Sequence, residues 1–250
     1  MLSVFTKQGV KLFWPVLPWR ISLELLGPFD YILMFGASLL FILGMVFKQW
    51  QRYFGRVAML LALVYLVVLV TFHFKAANFA EKYANALALE VEDIHLLPQP
   101  ISSLSWRVII ETKDNRLHDT MINLFLKEPL KVTESSTRAR RIAALYKPMD
   151  KAIWRIYNRI GSHRTGEGTM YVEKAWKALS ESPFNWETRF VVFKGFTEHN
   201  GTSCAEFRDL RREGARKDEK GTYLVCAEGE GFVLYQAAED GDFAKLDRIY

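Results

Sequence analysis

Between Arg56 and Lys75 the chain runs VAMLLALVYLVVLVTFHF (57–74) without one Asp, Glu, Lys or Arg. No other feature narrows the fold so much. At about 1.5 Å per residue, such a run makes a helix of about 27 Å, close to the roughly 30 Å of a bilayer's hydrocarbon core. Twelve of its residues are Leu, Val or Phe. At about −0.3 to −0.6 kcal/mol each, they favour insertion by roughly 4–7 kcal/mol. A second stretch, FDYILMFGASLLFILGMVF (29–47), carries only Asp30, at its edge. Together the two predict a transmembrane hairpin, about 29–47 and 57–74. The competing reading is a buried helical pair in a water-soluble core.

The connector KQWQRYFGR holds Lys48, Arg52 and Arg56 with no acid, and Trp50 and Tyr53 suit the headgroup zone. Uncompensated positive charge in a short loop predicts a cytoplasmic turn, with both ends and residues 75–250 outside the cytoplasm. Asp30 and His73 are the polar residues at the span margins. Ionisable groups in a span are functional candidates by default, although both lie within a turn of an end that water reaches. Residues 1–28, with Lys7, Lys11 and Arg20 set among Trp14, Pro15, Pro18 and Trp19, read as an amphipathic interfacial entry segment. Such a stretch normally joins one membrane element to another, so a further element is expected before Met1.

Charge divides along the same line. Residues 1–74 hold six basic and two acidic residues, leaving 27 against 26 for residues 75–250. A nucleic-acid module carries its positive excess on the folded part, so nucleic acid is not an expected partner. The sequence shows no phosphate-binding glycine loop, GxSxG or HExxH motif.

Residues 75–100 read as a helical connector. KAANFAEKYANALALEV continues the second span, and LPQP at 97–100 stops it. Residues 101–250 read as a soluble α+β domain. SWRVIIET and LHDTMINLFL flank a KDN turn; ETRFVVFKGF and TSCAEFRDL flank TEHNG; TYLVCAE and GFVLYQ flank GEG. Six strands in three hairpins predict a twisted antiparallel sheet or an open barrel. Ile142, Leu145, Met149, Ile153, Ile156 and Ile160 recur at helical steps over 138–160, where Pro148 either starts a second helix or kinks a single one. Eight basic residues face only Asp150 between Arg138 and Arg164. That segment either packs on the sheet with a solvated basic side or lies on anionic lipid. A further helix is expected over about 168–180.

Cys204 and Cys226 have neither CxxC spacing nor a nearby histidine pair, which disfavours zinc and dithiol redox chemistry. Hairpin counting sets them almost opposite, so they are either a cross-strand disulfide or two half-buried thiols. His95, His118, His163 and His199 occur singly, without the i, i+4 spacing of a helical ligand pair. His118 and Asp119 are strand neighbours and must point to opposite sides. Strand alternation would put Asp209 and Arg211 on one face and Arg208 on the other. Trp106, Asp209 and Arg211 are the candidate binding patch.

The layout resembles the C-terminal half of the bacterial inner-membrane metal-dependent hydrolases, also described as LexA-binding inner-membrane-associated hydrolases. FTKQGVKLFWP is similar to that family's T-x-x-G-x-x-L-x-W-P segment through Thr6, Gly9, Leu12, Trp14 and Pro15. PQPISSLSWRVIIET matches its Trp-bearing strand after a Pro-rich turn. Phe207, Arg208, Asp209, Leu210 and Arg211 match its Phe-Arg-Asp-Leu-Arg signature.

The resemblance implies a multi-pass protein of a bacterial inner membrane and chemistry at a divalent metal. In the family, the ligands lie on a helix with a His-x-x-x-Asp-like pair and on an upstream H-R-G-x-T-H-S-like motif. Neither stands in residues 1–250, and Val4 occupies the aspartate's place. The chain is therefore expected to be truncated relative to that family, without the family's metal ligands and with its catalytic residues, if any, unidentified in the sequence. The alternative is a non-enzymatic, membrane-anchored binding module. The expected partners are the lipid bilayer and a protein; no small-molecule substrate is identifiable.

Overall fold

The computed structural model describes residues 31–99, 102–160, 167–182, 188–212, 221–229, 231–237 and 243–249. The entry segment 1–28, with Thr6, Gly9, Leu12, Trp14 and Pro15, lies outside them, as do Asp30 and His163. The chain is α+β, helix-rich toward its N-terminal part, with two largely antiparallel five-stranded sheets. It forms two compact units. One takes in the described residues up to Lys113 together with His118–Arg155, and the other Asp114–Leu117 with the residues from Ile156 onward.

The first unit begins with α1 (Tyr31–Val46), linked by a 3-10 turn (Lys48–Trp50) to α2 (Gln51–Ala86). The two helices touch at the turn, with the Phe47 and Phe54 rings 6.4 Å apart. Among the described residues, one helix is long and apolar enough to cross a membrane: α2 with its preceding turn. The 16 described residues of α1 span about 24 Å.

Past the apolar run, α2 changes surroundings without a break. Ala76, Ala80 and Ala84 are buried, and their four-residue spacing keeps small side chains on one helix face. That face lies against a sheet of β1 (Val91–Gln99), β2 (Ser102–Thr112), β3 (Arg116–Asn123) and the two-residue β4 (Lys147–Pro148), in that order. A further strand, β5 (Arg155–Asn158), pairs with β3. Leu96, Trp106, Val108, Ile110 and Ile122 meet the alanines in one core.

The expected helical connector 75–100 is half wrong. The helix ends at Ala86, and residues 91–99 are an edge strand antiparallel to β2. The stop uses no glycine or proline. Ala88 takes φ +49°, and the Leu89 N–H donates to Ala84 O at 3.0 Å, a Schellman-type end built on alanine. Pro98 sits within β1, which is tolerable because β1 has a sheet neighbour on one side only.

The helical expectation for 138–160 also fails. Only α3 (Arg138–Ala143) is helical, capped by Thr137, whose hydroxyl accepts from the Arg140 N–H. The chain then pairs as β4, in parallel with β3, makes a 3-10 turn over Met149–Lys151, and extends into β5. Pro148 therefore marks an extended segment. Ile153 and Ile156 are exposed, so the helical period there does not build a buried face.

The second unit is a meander of β6 (Val191–His199), β7 (Thr202–Asp209), β8 (Thr222–Glu228), β9 (Gly231–Ala237) and β10 (Phe243–Ile249). The sheet runs in sequence order, every neighbour antiparallel, and is open. The Asn-Gly turn falls where expected, with Asn200 at φ +50° and Gly201 at φ +73°. The helix expected near 168–180 is α4 (Glu167–Glu181), which sets Val172, Ala175 and Leu179 against Val191, Phe207, Tyr223, Val225 and Leu234. Four strands, β1, β4, β5 and β10, were not among the six expected.

Because an L-residue in the left-handed region costs about 1–2 kcal/mol, Ala88→Gly is expected to raise stability by about 1 kcal/mol. Urea unfolding of the detergent-solubilised protein measures this, and a loss of stability would contradict the assigned helix end.

Candidate functional site

The surface of α2 is the first functional feature. Only 6 % of its apolar stretch is buried. Leu60, Leu61, Leu63, Val64 and Val67 stand exposed, Leu60 by 59 % and Val67 by 60 %. Monomeric water-soluble proteins rarely present so long a contiguous apolar surface. The backbone there is satisfied within the helix, and the Thr71 hydroxyl donates back to Val67 O at 2.9 Å. A segment with no open polar groups is what hydrocarbon requires. His73 does not face outward alone; its ring lies edge-on to Trp106 at 5.9 Å.

The second feature is buried charge in the first sheet. Arg107 on β2 and Asp119 on β3 are 5 % and 1 % exposed. The guanidinium grips the carboxylate with two bonds: Nε donates to Oδ1 at 2.6 Å and Nη2 to Oδ2 at 2.7 Å. Bidentate geometry of this kind is the strongest form of the pair. Tyr146 lies near it. Burial, with a smaller push from Asp119, raises its phenol to about 12, against the opposing pull of Arg107.

His118 points the other way from Asp119, as alternation requires. Its Nδ1 lies 3.1 Å from the Tyr83 hydroxyl of α2. His95, on β1, is buried with Nε2 3.5 Å from Asp93 and 3.8 Å from Glu111. Among the described residues, no group of three or more His, Cys, Asp or Glu side chains could hold a metal ion. The donor set among the described residues does not fit a hydrolytic metal.

Of the candidate patch, Trp106 and Asp209 are buried and Arg211 is partly buried. Trp106 is wholly buried in the core of the first unit, its indole N–H donating to Ser103 O at 2.9 Å. In the second unit, Asp209 is buried and accepts from the Arg211 backbone N–H at 2.9 Å and from its Nε at 2.9–3.0 Å. The pair does meet, for a reason other than strand alternation: β7 ends at Asp209, and a 3-10 turn swings Arg211 back. Phe207 and Leu210 are core residues and Arg208 is exposed, so the Phe-Arg-Asp-Leu-Arg run caps a strand. His199 packs against Tyr235, ring centroids 4.6 Å apart.

Cys204 and Cys226 are register partners on β7 and β8 and are joined by a disulfide. Of the two alternatives left by the sequence, this is the one the structure adopts. The Arg107–Asp119–Tyr146 group was missed. Its signal was present, since both charged residues stand an odd number of positions from Asp114 in the turn and so share a face. No family model, curated protein or solved structure matches the chain.

Breaking a buried pair strands a charge and costs about 3–5 kcal/mol, whereas replacing both partners with apolar groups is often neutral. Asp119→Leu alone is therefore expected to destabilise by that amount, and Arg107→Met with Asp119→Leu to recover most of it. Equal losses in the single and double variants, measured by chemical denaturation, would refute the coupling.

Proposed function

We propose that the chain is an integral membrane protein whose apolar helices, about 29–47 and 57–74, anchor an α+β domain outside the cytoplasm. The exposed apolar surface of α2 carries this reading. Two further observations support it. Lys48, Arg52 and Arg56 share the short link between the apolar stretches, which favours a cytoplasmic turn. The Cys204–Cys226 disulfide suits an oxidising compartment.

The likeness of Thr6, Gly9, Trp14 and Pro15 and of the Phe207–Arg211 run to the inner-membrane hydrolases makes that lineage part of the proposal. In this reading, the residues described here supply anchor and scaffold, and the family's metal-ligand motifs are not among them. The second reading is a non-enzymatic binding module held at the membrane. It needs only an anchor and folded units, both of which the described residues supply.

Anchoring predicts that the chain stays in the membrane pellet through an alkaline carbonate wash and that a C-terminal alkaline phosphatase fusion is active. Val64→Arg, at about 2.5–3.5 kcal/mol for arginine at a span centre, should shift a measurable fraction out of the membrane. Recovery of the folded, monodisperse chain from the aqueous fraction without detergent would end this reading. For the chemistry, metal analysis of the purified chain is expected to find less than one tightly bound transition metal per molecule. A stoichiometric metal held by residues 1–250 would instead restore the hydrolase reading for this polypeptide.

A further inference from the structure

One loop of the first unit returns to the place where the apolar run of α2 ends. The turn after β3 is held by Asn123, whose Oδ1 accepts from the backbone N–H of Phe125 at 3.1 Å and of Leu126 at 3.0 Å. The fixed turn sets the Phe125 ring edge-on to Phe72, 5.3 Å away. Lys75 closes the arrangement: its Nζ donates to Leu124 O at 2.8 Å and stands 4.3 Å from the centre of the Phe125 ring.

Phe72 is two residues from the end of the uncharged run, about 3 Å along the helix axis. A ring touching Phe72 is therefore held within about a turn of the level at which α2 leaves the hydrocarbon. Phe125 is nonetheless 55 % exposed, and Val132 further along the loop is 45 % exposed. Single exposed apolar side chains need no explanation. An exposed phenylalanine pinned by a rigid helix at the membrane boundary does.

The charge of the same segment points to the same partner. From Phe125 to Arg141 the basic residues are Lys127, Lys131, Arg138, Arg140 and Arg141, against Glu128 and Glu134. All five basic side chains are exposed, and Arg140 Nε donates to Lys131 O at 3.3 Å, tying α3 to the loop. Aromatic residues at the headgroup level with lysine and arginine beside them form the usual interfacial combination.

We propose that residues 125–141 make a second contact with the bilayer, seating Phe125 in the interfacial zone and the basic residues on anionic headgroups. The inference rests on α2 being a span, and it adds that the first unit touches the membrane beside its anchor through this loop.

The chain has no cysteine besides the disulfide pair, so an introduced thiol can be spin-labelled uniquely. Phe125→Cys and, separately, Val64→Cys are labelled in nanodiscs of phosphatidylcholine alone and with about one-third phosphatidylglycerol. Oxygen and a water-soluble nickel chelate then report depth. The expected result is oxygen-rich and chelate-poor surroundings at 64 in both discs. Position 125 should be shielded from the chelate in the anionic discs, with the shielding lost in Lys127→Gln with Lys131→Gln. Each basic residue is expected to strengthen the contact by about fivefold.

Full chelate access at 125 with 64 still shielded would overturn the loop contact and leave the anchor standing. Chelate access at 64 would remove both. Because Phe125→Cys deletes the ring, the unaltered chain is also exposed to photoactivatable phosphatidylglycerol. Cross-links within residues 124–132 are expected, and their absence would overturn the proposal on its own.

Discussion

The structure depends on the continuity of α2. Its 36 residues run unbroken from an outward apolar surface into a packed interior. Between Arg56 and Lys75 the helix presents mostly large apolar side chains outward; from Ala76 it presents alanines to the sheet. Small residues let the helix backbone approach the strands closely, so Trp106, Val108 and Ile110 fill the space that larger helical side chains would take. A helix is stiff over this length. Whatever solvent surrounds the first half therefore fixes the position of the first sheet, which grips the second half.

The two units are secured by different chemistry. In the first, the β2–β3 hairpin buries an arginine and an aspartate whose mutual bonds replace the water both give up. Such a pair adds little net stability over an apolar substitute, but it penalises any register that leaves one partner alone. In the second, the open meander is cross-linked by a covalent bond between strand neighbours and covered by α4 lying across the apolar face. Tyr171 of α4 fastens that contact, its hydroxyl accepting from the Ala227 N–H at 3.0 Å. The unit thus carries both an apolar core and a cross-link that needs an oxidising environment to form.

Legibility followed the range of the interactions. The Asn200-Gly201 and Asn115 turns were readable because positive φ is a local demand met by few residue types. The hairpins around them followed, and counting back from the middle of the RREGARKDEK connection set Cys204 and Cys226 nearly opposite. By contrast, AEKYANALALEV carries helical composition past the point where the helix stops. The stop at Leu87–Leu89 is made by an alanine in an unfavourable conformation, because pairing of β1 with β2 outweighs that cost. The run at 138–160 misled for a related reason. Its isoleucines have helical spacing, yet β3 offers an unpaired edge that draws Lys147–Pro148 and the β5 segment into extended form. The burial of Trp106 and Asp209 was not legible, because composition suggests what a side chain could bind, whereas packing decides how much of it a partner can reach.

By itself, the sequence determined the uncharged length of the apolar run, the basic link before it, the turns that demand left-handed residues, and the near-opposition of the two cysteines on neighbouring strands, while their bonding was settled by the structure. Each is a property of neighbours in the chain or of strands consecutive in sequence. Only the tertiary structure decided where α2 stops packing outward and begins packing inward. It also decided that Arg107 and Asp119 neutralise each other in the interior, and that Phe125 returns to the level of Phe72. Those outcomes come from competition among contacts far apart in sequence, and no local period records which of them wins.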